Sequence, residues 1–196
     1  MADSVTVLRA AGPPGAKRNL AILGDGFTAA DQAAYNTWVD TTVMAGVFAH
    51  DYFFEDASAW NIYRVNLEST DSGVSTRTYD EHGTPADASD DTISSETVRN
   101  TALGMIFSGS WAHCWLEYGT NTEARIKKAL DRWVSDYQFV LIVLSNPGFG
   151  GCGGGGGGGR AHVPMGGRLG HHRPRVRPRH RWTRRRVLRR RGVDGG

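Results

Sequence analysis

From Gly148 to Arg160 the chain reads GFGGCGGGGGGGR, a stretch with almost no side chains from which a core could be built. Any hydrophobic core therefore has to come from the residues before it. Charge divides at the same place. Residues 1–159 hold 10 Lys plus Arg against 19 Asp plus Glu, a net of −9, with every Phe and Tyr and five of the six Trp. Residues 160–196 hold 13 Arg against Asp194 alone, a net of +12, so the overall +3 conceals two opposite characters. The expected organisation is an acidic globular domain over 1–159 and a basic, low-complexity tail over 160–196, disordered by itself. Such a tail would bind nucleic acid non-specifically by counterion release, yet it carries one Trp and no nucleic-acid-binding motif.

Within the first part, Asn19–Leu23 (NLAIL) is an apolar run closed by Gly24-Asp25-Gly26, the pattern of a buried strand and a turn. Thr28 is the expected N-cap of an amphipathic helix over 29–48, with Tyr35, Trp38, Val39, Val43 and Val47 at helical spacing and Phe53 and Phe54 anchoring its far end. Asn61–Leu67 (NIYRVNL) reads as a strand, residues 69–95 as a long surface excursion, and Glu96–Phe107 as a short helix. Asn121 caps a further helix to about Tyr137, with Ile126, Ala129, Leu130, Trp133 and Val134 on one face. The continuous run Phe139–Leu144 (FVLIVL) has the length and composition of a buried central strand. Strands alternating with helices predict an α/β domain or an α+β sandwich.

Several chemistries are tested by motif and set aside. Neither Gly24-Asp25-Gly26 nor the glycine run is followed by the Lys-Ser/Thr of a P-loop or opens a dinucleotide-binding helix, so nucleotide binding is not expected. Asp25 with Asp71 and Asp80 could contribute to an acidic metal site, although a turn residue and two solvated loop acids fit the same pattern. In the tail, His171 and His172, with His162 and His180, are the alternative metal ligands. Adjacent histidines on a flexible segment chelate weakly, and no Cys or carboxylate stands nearby at ligand spacing. Cys114 and Cys152 could form one disulfide or remain two thiols. The N-terminus lacks a basic region followed by an apolar one, so no signal peptide is visible. Cytoplasm is the default compartment, with secretion the alternative if the true start lies upstream. No apolar run is long enough to span a bilayer.

Three segments together resemble the IgA-peptidase family of zinc metallopeptidases: NLAILGDGFTAADQAAY (Asn19–Tyr35), WNIYRVNLESTDSGVS (Trp60–Ser75) and ALDRWVSDYQFVLIVLSNPGFGGCGGGG (Ala129–Gly156). The resemblance spans about Asn19 to Met165. It implies a zincin-like fold, a peptide or protein substrate, and a zinc helix carrying His-Glu-x-x-His followed by Asp-Glu-Tyr. In that motif one helical turn places both histidines on the metal, the Glu acts as general base for the zinc-bound water, and the Asp-Glu-Tyr segment supplies the third ligand. The family name suggests immunoglobulin as substrate, but no residue here supports that specificity.

The zinc motif is missing. Where it should stand the chain reads LGHHRPRVRPRHRWTRRRVL (Leu169–Leu188). A frameshift accounts for this. With one G removed near Gly167, Met165 onward can be read Met-Gly-Ala-Ala-Trp. Leu169–Leu188, back-translated and read one base along, can then give Trp-Asp-Ile-Ile-Ala-His-Glu-Phe-Gly-His-Gly-Ile-Gly-Gly-Pro-Ala-Asp-Glu-Tyr. Both motifs emerge in order and at family spacing. The shifted zinc residues fall across codons Pro174 to Arg179, whose translated residues cannot replace them, because Arg does not ligate zinc and Pro breaks the helix. The expectation is a zincin-like peptidase domain cut off before its active-site helix. It would have no catalytic residue and bind no zinc, and its alternative role is that of a non-enzymatic protein with a cationic tail.

Overall fold

The computed structural model describes residues 3–47, 57–108, 110, 112–113, 115–146, 154–156 and 160–167, with Val47 and the last two segments as backbone only. In chain order these form β1 (Ser4–Arg9), β2 (Arg18–Asp25), α1 (Gln32–Trp38) running on as a π-helix (Val39–Val47), β3 (Trp60–Asn66), β4 (Ser75–Asp80) and β5 (Thr92–Thr97). They continue with β6 (Met105–Phe107), β7 (Leu116–Tyr118), α2 (Thr122–Trp133), β8 (Phe139–Ser145), β9 (Gly154–Gly156) and β10 (Arg160–Gly167). The six-stranded sheet has the order β1-β3-β2-β8-β10-β9. Its four central strands are parallel, and β1 and β9 add antiparallel edges.

Why β8 is central follows from its composition. A parallel strand covered on both faces needs apolar residues at consecutive positions, and Val140–Leu144 are all buried. The pleat then sends alternate residues to opposite sides. Leu20 and Ile22 of β2, Ile62 of β3 and Leu141 and Val143 of β8 face Tyr35, Trp38, Val39 and Val43 of the α1–π helix. Ala21 and Leu23, Val65, and Val140, Ile142 and Leu144 face the other way, onto Ile126 and Leu130 of α2 and onto Leu103, Met105 and Leu116. The last three lie on or beside the four-stranded sheet of order β5-β4-β6-β7. The result is a mixed α/β domain with a helix over one face of the large sheet, and a helix plus a small sheet over the other.

Several expectations change in detail. The first helix starts at Gln32, three residues inside the expected point, because Thr28 does not cap it. Instead the Asp31 carboxylate accepts from the Thr28 amide at 3.1 Å and its hydroxyl at 2.7 Å, which holds a turn ahead of the helix. Glu96–Phe107 is not helical: it contains the end of β5, a loop, and β6. The loop is held bent around the Asp25 carboxylate, and Gly104 takes φ +76°, outside the right-handed helical region. The excursion over 69–95 contains β4 and the start of β5, which pair antiparallel. The second helix ends at Trp133, since Val134 leaves helical geometry at φ −146° and Gln138 donates its amide to the Asn19 carbonyl. Asn121 takes the cap position without a side-chain cap bond. Its expected apolar face is buried as read, with Ile126, Leu130 and Val134 in the core and Ala129 and Trp133 packed against it. The large sheet also extends past residue 159, where the backbone of β10 runs parallel to β8. The readings on Phe53, Phe54, Cys114 and Cys152 lie outside the described residues.

Candidate functional site

In open α/β sheets, ligands lie outside the carboxyl ends of parallel strands, where successive connections diverge. Here that edge is made by the ends of β2, β3 and β8. The β2 connection passes through α1 to β3 on one side, while β8 lies on the other side of β2. Asp25 closes β2 at this edge and is completely buried. Its Oδ1 accepts from the Leu103 amide at 2.8 Å, and its Oδ2 accepts from the Met105 amide at 2.9 Å and the Thr101 hydroxyl at 3.0 Å. Burial pushes the carboxyl above its ordinary range, and the donors from Leu103, Met105 and Thr101 oppose that rise. Asp25 is thus not the turn residue its sequence context suggested. It bolts the 101–105 loop, and through it the small sheet, onto the large one.

The glycines on either side have physical reasons of their own. A Cβ at Gly24 would lie 3.0 Å from the Tyr35 ring, whose hydroxyl donates to the Ile22 carbonyl at 3.0 Å. Gly26 has φ +79°, and a Cβ there would lie 2.7 Å from the Gly73 backbone. That close approach lets the Gly73 amide reach the Gly26 carbonyl at 2.8 Å, while the Gly26 amide donates to the Ser69 hydroxyl at 3.0 Å. The Gly-Asp-Gly turn therefore docks the chain around residues 69–73 and 101–105 to the sheet edge.

The other acids singled out by sequence do not join Asp25. Asp71 accepts from the Asn100 amide at 2.7 Å, and Asp80 accepts from the His82 amide at 3.1 Å in an exposed turn. Among the described residues, no group of three or more His, Cys, Asp or Glu side chains is placed to hold a metal ion. Both Asp25 oxygens are already engaged by donors of the chain, so the described residues do not fit zinc. His162 falls in β10, described as backbone only, and His171, His172 and His180 lie outside the described residues.

Sequence reasoning missed a polar cluster on the small sheet. Arg77 pairs with Glu96 and Glu117, both at 2.6 Å, and the Tyr79 hydroxyl donates to Glu117 at 2.8 Å. The Tyr79 ring stacks on His113 at 3.7 Å, and His113 meets Asp91 at 2.9 Å. Desolvation raises the Tyr79 phenol, and the hydrogen bond with Tyr79 raises Arg77. The only trace of this in the sequence is the alternation of Arg77 and Tyr79 with Thr76 and Thr78, which the Ser/Thr/Asp-rich context concealed.

Two concavities flank the 67–70 loop at the same edge of the large sheet. One, of about 570 Å³, runs from Thr28–Ala30 to Glu68–Thr70. The other, of about 430 Å³, lies between that loop, residues 100–103 and α2.

Comparison with known families places this domain among the peptidases. The IgA peptidase M64 model matches residues 6–159, and the chain belongs to that family. No curated protein matches it significantly. Among the described residues, no helix is long and apolar enough to cross a membrane.

Proposed function

We propose that this chain is the remnant of a zinc-dependent endopeptidase with a zincin-like fold, and that it is inactive as translated. The observation that carries the reading is in the sequence. The chain matches the M64 family up to residue 159, and the residues that follow can yield His-Glu-Phe-Gly-His and then Ala-Asp-Glu-Tyr when read one base along. On this reading the domain over 1–159 is authentic, and within the basic segment over 160–196 translation leaves the frame near Gly167. Inactivity rests on the sequence, since Leu169–Leu188, where the zinc helix should stand, reads without a His-Glu-x-x-His motif. In the intact relative, zinc would supply the polarising charge and the nucleophilic water for hydrolysis of a peptide or protein substrate.

The test is to resequence the DNA across codons 160–196. The chain as written and the form lacking one G near Gly167 would then be purified without chelators. The written chain should be zinc-free and should not hydrolyse casein, while the restored form binds zinc stoichiometrically and does. Stoichiometric zinc together with peptidase activity in the written chain would overturn the proposal. Steep, salt-dependent DNA binding by a stably folded written chain would favour the reading as a cationic binding protein.

A further inference from the structure

The cleft of about 430 Å³ beside α2 has a charge distribution unlike the rest of the domain. Residues 1–159 carry only 10 basic side chains. Arg125, Lys128 and Arg132 of these stand on one helical face, at i, i+3 and i+7, and line this one cleft. Among the described residues no ion pair engages any of the three, and the ion pair within α2 is Lys127 with Asp131. Arg125 instead donates to the Thr101 carbonyl at 3.1 Å, another residue of the cleft's lining, and Arg132 lies over the Trp133 ring at 4.5 Å. Like charges at this spacing repel one another, so an anion bound between them would relieve that repulsion.

The remaining walls specify the kind of anion. Leu67, Leu103 and Trp133 give an apolar floor. Asn100, exposed in the same lining, spends one amide hydrogen on the Thr70 hydroxyl at 3.4 Å, and a carboxamide has a further donor and an acceptor for a peptide backbone. Two acids, Asp3 and Glu68, share the lining on the side of the 67–70 loop, where Asp3 accepts from the Glu68 amide at 3.0 Å. A polyanion as long as a nucleic acid would meet the net −9 of the surrounding domain, whereas a short segment with a few carboxylates can lie along the cationic wall of α2.

We propose that this cleft binds acidic peptide segments, with Lys128 and Arg132 contacting side-chain carboxylates and Asn100 contacting the peptide backbone. The inference takes the peptide class of ligand from the family reading above, but its test requires neither zinc nor cleavage. A blocked tetraglutamate peptide carrying a benzophenone photo-crosslinker is bound to the full chain, and crosslinked sites are mapped by mass spectrometry. This separates the cleft from the Arg-rich tail, which also attracts acids. Crosslinks are expected within residues 125–133 and 67–70. They should weaken about tenfold in K128E/R132E, survive in K128R/R132K, and be absent with the matching lysine peptide. Both substitutions are on exposed positions, and unchanged thermal melts will verify folding. Crosslinks confined to the tail, or unaffected by K128E/R132E, would overturn the proposal while leaving the family reading intact.

Discussion

Replacing Asp25 tests whether a buried charge here stabilises the fold or burdens it. Two effects oppose each other. Removing a carboxylate from a fully buried site relieves its desolvation, which by itself would stabilise. Removing it also strips acceptors from the Leu103 and Met105 amides and the Thr101 hydroxyl. Each buried N–H left unpaired costs about 1–3 kcal/mol, so Asp25→Ala should lose about 3–5 kcal/mol. Asp25→Asn keeps the shape. Its better orientation leaves the oxygen on Met105 and Thr101 and turns the amide NH2 against the Leu103 N–H, so one bond is lost, at about 2 kcal/mol. The assay is urea unfolding followed by Trp fluorescence at neutral pH, with the slope checked for constancy between variants. The expected order is wild type, then Asn, then Ala. If Asp25→Asn were as stable as wild type or more so, desolvation would dominate, and the clamp argument would fail.

Gly26→Ala should destabilise by about 3 kcal/mol, because it combines a left-handed φ with overlap against the Gly73 backbone; a loss under about 1 kcal/mol in the same assay would contradict that geometry. Asp31 is held below its ordinary pKa, chiefly by the Thr28 hydroxyl. A depressed folded pKa stabilises above the unfolded value of 3.8, and that contribution is lost as pH falls through the folded value. Asp31→Ala should therefore cost about 1 kcal/mol at neutral pH, with the deficit shrinking below pH 3.8. A deficit that stayed constant under acid titration would remove the Asp31–Thr28 interaction as its cause.

Much of the large sheet is legible from local sequence, because burial on both faces demands consecutive apolar residues and such runs stand out. Phe139–Ser145 and Arg18–Asp25 are the clear cases. The small sheet is not legible. Its strands are short, and β5 is exposed at every position, so neither alternation nor apolar runs mark it. Glu96–Phe107 shows the failure most plainly: its composition tolerates a helix, but the acceptor that holds its loop out of one is Asp25, about 80 residues away.

The sequence by itself determined which helix faces are apolar and that the segment after Gly167 has no zinc motif in its present frame. These properties reside in the order of residues and need no partner across the chain. Only the tertiary structure decided the role of Gly24-Asp25-Gly26, the meeting of Asn100 with the Arg125–Arg132 face of α2 in one cleft, and the Arg77–Glu117–Tyr79 network. Each depends on contacts between segments far apart in sequence, and a hydrogen bond or a shared cleft leaves no periodicity for a linear reading to detect.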